Sequence, residues 1–198
     1  MSDRGQAFTL EAITASLLLI GGLVFALQAT AVTPLSASTS SQHIENQQQA
    51  AAEGVLTTGL DDGSLRRALL YWNDSANDGS GGFHDAREEG YYVDKTPANA
   101  FGRSLNRTFT SRNIVVNVYI YYEEDGREKR QRMVYRGEPS DNAVSASTTV
   151  TLYEGARLYA EDGSPATTTV TDDTFYAPNA TSGGSYNTLR VELIAWRQ

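Results

Sequence analysis

The sequence predicts an α+β protein: an N-terminal transmembrane α-helix with an amphipathic extension, then a mainly antiparallel β head domain of at least four strands. Three observations predict it. Residues 12–32, AITASLLLIGGLVFALQATAV, form a run of 21 residues without a charged side chain. The C-terminal half alternates apolar and polar residues with the period of two that half-buried strands require. Between these regions lie stretches of Ser, Gln, Asp, Asn and Gly that mark extensions, turns and loops.

At a rise of 1.5 Å per residue, about 20 residues cross a hydrocarbon core of roughly 30 Å, so the apolar run is long enough to span. A buried core helix is the first alternative, but the run leaves no polar face for a small domain's surface. A secretory signal is the second. Its apolar region is usually shorter and its leading segment basic, whereas here Asp3 accompanies Arg4 and Glu11 abuts the apolar run. Pro34 is the natural place for the membrane part to kink or end. Beyond it, SASTSSQHIENQQQ (36–49) has the composition of a linker, while 44–60, with Gln47–Gln49 and Ala50–Ala52, has helix-forming composition.

In the remainder, Leu65, Ala68, Leu69 and Trp72 fall at i, i+3, i+4 and i+7, predicting a short helix over 65–72 with Asp61 and Asp62 at its N-terminal end. Residues 73–82 read as a turn-rich loop, and 94–112 mainly as loop. The runs NIVVNVYIYY (113–122) and RQRMVYR (130–136), joined across Asp125-Gly126, predict a β-hairpin. Val144, Ala146, Thr148, Val150 and Leu152 share one face of a further strand over 143–153. Tyr186–Trp196 supplies another, with Leu189, Val191, Leu193 and Ala195 on one side. Residues 161–184 read as a long exposed excursion.

Charge and composition narrow the chemistry. The 198 residues carry 16 Lys+Arg against 24 Asp+Glu, a formal charge of −8, which argues against a phosphate-backbone (nucleic acid) binder. Absence of cysteine excludes disulfides, thiolate metal sites and cysteine nucleophiles. His84-Asp85 offers the parts of a base for a serine nucleophile, but no Gly-x-Ser-x-Gly elbow accompanies it. Asp61-Asp62, Glu88-Glu89, Glu123–Asp125 and Asp172-Asp173 offer oxygen ligands for calcium without the spacing of an EF-hand loop; solvated acidic faces are the reading preferred, with no metal and no cofactor. The 11 tyrosines, with the arginines, suit strands and contact surfaces alike. Asn73, Asn106 and Asn179 head Asn-x-Ser/Thr sequons and are candidate glycosylation sites in expected loops.

Arg4-Gly5-Gln6-Ala7-Phe8-Thr9-Leu10-Glu11, followed at once by the apolar run, resembles the class III signal of type IV pilins and pilin-like proteins. The basic–Gly–Gln junction is similar to that of archaeal members, and the acidic, Arg-rich, Lys-poor composition resembles that of salt-adapted archaeal surface proteins. The resemblance covers about the first 35 residues. It implies that a prepilin peptidase cuts between Gly5 and Gln6, that five residues leave and 193 remain, and that the apolar helix stays on the mature chain. It also implies an assembly role for Glu11, neutralising the amino terminus of a neighbouring subunit. Family members start Phe-Thr-Leu-Ile-Glu with Glu fifth; here the Ile is missing and Glu11 becomes sixth.

The expected organisation is therefore a leader at 1–5, a transmembrane helix at 6–33, a helical extension or linker at 34–60 and an extracellular head at 61–198. Arg4 is the only base before the apolar run and none follows until Arg66, which places the N-terminus inside and the head outside. The expected function is structural, with partners in membrane lipid, a prepilin peptidase and like pilin subunits. A membrane-tethered binding module that never polymerises is the alternative, and a tethered hydrolase built on His84 the third class.

Overall fold

In the computed structural model the described residues are 3–197, with side chains described for 8–27 and 42–197. The chain divides into two units, Met1–Ile44 and Glu45–Gln198, each treated by itself below. Helix α1 (Asp3–Asp61) contributes to both. Its backbone stays helical through Pro34 and through 36–49, so the expectation that the helix ends at the proline, or gives way to a linker, is corrected. A proline removes one rung of the hydrogen-bond ladder without obliging the flanking turns to unwind.

In the second unit, the last turns of α1 form one wall of the core. Gln48, Ala52, Val55, Leu56 and Gly59 are buried there, at the 3–4 residue spacing of a single helical stripe. Gly59 is set by contact: a Cβ on it would stand 3.2 Å from the Leu65 Cβ and 3.3 Å from the Phe101 ring. Gly63, at φ 71°, turns the chain into α2 (Ser64–Leu69), and the Asp62 carboxylate accepts the Ser64 N–H at 2.7 Å. A bond from the Ser64 side chain, and after it this backbone bond, lowers the Asp62 pKa. Leu65, Ala68, Leu69 and Trp72 are all buried as their spacing predicted, but the helix stops at Leu69. Trp72 belongs to β1 (Trp72–Asn73), which pairs with β2 (Gly82–Phe83). A ring at i+7 of a helix and a ring one strand further on reach the same core, which is why periodicity ran past the helix end.

Residues 94–112, expected mainly as loop, contain α3 (Ala100–Thr108). Its signal is local: the Asn99 Oδ1 accepts the Gly102 N–H at 3.0 Å as an N-cap, and Phe101, Leu105 and Phe109 recur every fourth residue and are buried. Gly102 could not carry a side chain, since a Cβ would lie 1.9 Å from the Pro97 carbonyl oxygen.

The main sheet follows. β3 (Ile114–Glu124) and β4 (Arg127–Val134) form the expected hairpin, with Asp125 (φ 52°) and Gly126 (φ 72°) both left-handed, as a two-residue turn matched to strand twist requires. β5 (Val144–Tyr153) and the two-stranded β6 (Arg157–Tyr159) and β7 (Pro165–Thr169) come next, then β8 (Ser185–Arg197). The four long strands are antiparallel in the order β4-β3-β8-β5. Val116, Val118 and Ile120 of β3, Leu189, Val191, Leu193 and Ala195 of β8, and Ala146, Val150 and Leu152 of β5 are buried on the side of the sheet facing the core. The 161–184 excursion is only partly exposed. It holds β7 and sends Val170, Phe175 and Ala177 into the core.

Two buried asparagines pin loops to this sheet. Asn117 accepts the Arg136 N–H at 2.8 Å and donates to the Gly137 carbonyl at 2.9 Å. Asn187 donates to the carbonyls of Glu123 at 2.9 Å and Pro178 at 2.8 Å. Burial without partners would be costly, so each stands where backbone groups would otherwise lack theirs.

Two substitutions test this packing. Gly102→Ala forces the α3 N-terminus off Pro97 and is expected to cost about 3 kcal/mol. Asn117→Ala strands the Arg136 and Gly137 backbone groups and is expected to cost about 1–3 kcal/mol. Both are read by denaturant unfolding followed by circular dichroism, and unchanged midpoints would contradict the packing described.

Candidate functional site: an apolar helix with no protein cover

Residues Phe8–Leu27 form a helical stretch of 20 residues with no buried residue, apolar enough and long enough to cross a membrane. Its large side chains point outward all round the helix, as with Leu18 at 77% and Phe25 at 76% exposure. A helix apolar on every side has no face to offer water. The hydroxyls of Thr14 and Ser16 are satisfied within the helix. The Thr14 hydroxyl donates to the Leu10 carbonyl at 2.7 Å, and the Ser16 hydroxyl to the Ala12 carbonyl at 2.9 Å. Such back-bonding is what hydroxyls need where no water is present.

Two features interrupt the apolar surface. Nothing among the described residues lies within 4 Å of where a Cβ would stand on Gly21 or Gly22, so the backbone there is open to close approach. Glu11, the one charged residue in the stretch, is exposed and enters none of the ion pairs among the described residues. Gly5 and Gln6, the expected cleavage junction, fall within the bounds of α1, but the side chains of Arg4 and Gln6 lie outside those described.

The head presents a different surface. On the sheet face away from the core, arginines lie over tyrosine rings: Arg190 over Tyr121 at 3.9 Å to the centroid, Arg132 over Tyr135 at 4.2 Å and Arg130 over Tyr119 at 4.8 Å. Arg190 also bonds both carboxylate oxygens of Glu128, at 2.8 and 2.9 Å, and the Tyr121 hydroxyl donates to Glu192 at 2.8 Å. Burial and the Glu192 bond raise the Tyr121 pKa, in that order. Other tyrosines are structural. Tyr92 is buried and donates to the His84 carbonyl, and Tyr176 donates to the Leu69 carbonyl at 3.3 Å with burial pushing its pKa well up.

The remaining candidates separate in space. His84 lies against the Tyr71 ring at 4.8 Å between centroids, while the Asp85 carboxylate pairs with Lys95, so neighbours in sequence do not form a His–Asp couple. Among the described residues no group of three or more His, Asp or Glu converges as a metal site would. The three sequons are not all in loops, which corrects that expectation. Asn73 closes β1, half-buried, its Oδ1 accepting the Ser75 N–H at 3.1 Å, and Asn106 is exposed on α3. Asn179 alone is an exposed loop residue, its Oδ1 accepting the Thr181 N–H at 3.2 Å.

No curated protein and no solved structure matches the chain. A family of unknown function, DUF7288, matches residues 4–195, from the expected cleavage junction almost to the end of β8. The match spans nearly the whole chain, which therefore belongs to that family.

Proposed function

We propose that this is a pilin-like structural subunit, cut between Gly5 and Gln6 by a prepilin peptidase and assembled through its N-terminal helix into a surface filament or pilus-type machine. The observation that carries the reading is the uncovered helix Phe8–Leu27, apolar on all sides, with the Thr14 and Ser16 hydroxyls satisfied internally. Such a surface has two stable environments, lipid and a bundle of like helices, and subunit assembly is transfer from the first to the second. Gly21-Gly22 is where neighbouring backbones come closest. Glu11, costly in either environment as an unpaired charge, pairs with the amino terminus exposed by cleavage on the next subunit, which sets the register between them.

In this reading the protein is single-pass in the cytoplasmic membrane, N-terminus inside and acidic head outside. It has no catalytic role, cofactor or nucleic-acid partner; His84 packs on a ring and Asp85 is committed to Lys95. The exposed Asn106 and Asn179 are the sequons open to a glycan, ahead of the half-buried Asn73. The arginine–tyrosine face of the sheet supports the second reading, a tethered module that binds a partner without polymerising.

Two measurements test the proposal. Mass spectrometry of the native protein is expected to find a 193-residue chain starting at Gln6; a Met1 or Ser2 start in cells containing prepilin peptidase would overturn it. Leucine at Gly21 and Gly22 is expected to abolish filaments in the sheared surface fraction while the protein stays in the membrane fraction. Wild-type filament yield in that variant would remove the packing role of the glycine pair, and wild-type chain recovered only as a detergent-soluble monomer would favour the tether.

A further inference from the structure

A cavity of about 240 Å³ opens in the head between α2, the start of α3 and the β6–β7 hairpin, lined by Ser64, Arg67, Asn99, Arg103, Tyr159 and Asp162 among others. Acids outnumber bases 24 to 16 in this chain, yet neither Arg67 nor Arg103 enters an ion pair among the described residues. The only side-chain bond Arg67 makes among them is to the Asp62 carbonyl, at 3.1 Å. Asn99 lines the cavity as well. Because its Oδ1 accepts the Gly102 N–H, the other amide atom is fixed as Nδ2, and this nitrogen is buried with no acceptor among the described residues. Two acids oppose the arginines: Asp162 in the lining, and Asp62, whose carboxyl the Ser64 bonds and then the Arg67 guanidinium hold below its usual range. The Asp162 Oδ1 is held by the Ser164 N–H at 2.9 Å and hydroxyl at 2.6 Å, so it is committed to its own turn.

The geometry points to this cavity as a binding site for a small oxyanion-bearing ligand, its carboxylate or phosphoryl group held between Arg67 and Arg103. Guanidinium groups are the side chains best matched to such groups, because their paired N–H bonds meet two oxygens at once. Asp162, a carboxylate in the same lining, disfavours a second negative group, which selects a singly acidic ligand over a polyanion. The site lies wholly in the head and does not rest on the assembly reading.

The test is calorimetric titration of the full chain in non-ionic detergent at low salt, with inorganic phosphate in one arm and glucuronate in the other. Saturable binding with a dissociation constant of about 1 mM or below is expected in at least one arm, and the tighter arm identifies the group. Arg67→Gln with Arg103→Gln, both at exposed positions, is expected to weaken binding at least about tenfold with an unchanged melting temperature. Asn99→Asp retains the oxygen that caps α3 but adds a negative charge to the lining, and is expected to weaken binding as well. No saturable binding in either arm up to about 10 mM would overturn the proposal, as would equal affinity in the wild type and both variants.

Discussion

The constraint on which the rest depends is that a helix apolar on all sides cannot remain in water. Twenty residues with no burial are an unfavourable surface by any reckoning of about 25 cal/mol per Å². Everything C-terminal to residue 44 is arranged otherwise: a buried stripe, a sheet with one apolar face and loops pinned by hydrogen bonds. The head buries its apolar surface within itself, whereas the apolar surface of the first unit has no cover among the described residues, and this asymmetry makes the helix the first place to look for function.

The same helix changes character along its length. In its last turns the outward-facing residues become Glu53, Gly54, Thr57 and Thr58, while Ala52, Val55 and Leu56 turn inward. Those turns are part of the head's own core, where Gly59 lets Leu65 and Phe101 close in. Without cysteine the head has no covalent staple, and contact distances of this kind, together with Asn117 and Asn187, do the work of fixing loops to layers.

Much of the fold was legible because periodicity and turn chemistry agreed. The Asp125-Gly126 turn, the alternation in 143–153 and 186–196, and the uncharged run each have a local cause, and each appears where local causes put it. What escaped was short or tertiary. Helix α3 has nine residues and contains Gly102, which lowers helix propensity but is required by Pro97; Asn99 and the Phe101, Leu105, Phe109 spacing were the available signal. Trp72 kept helical register yet joined a strand because the core accepts it from either. The arginine pocket was invisible, since Arg67, Asn99, Arg103 and Asp162 come from segments up to 95 residues apart and only the fold brings them together.

The placement of aromatic residues has one more effect. Both tryptophans and all 11 tyrosines lie at or beyond residue 71, and Trp72 and Trp196 are buried at 6% and 3% exposure. The apolar helix carries no indole or phenol at all. Tryptophan and tyrosine emission from this protein therefore originates wholly in the head, and in that signal a change of solvent around the helix, whether lipid, detergent or neighbouring subunits, is silent. The two halves can be followed separately without attaching any label to the folded one.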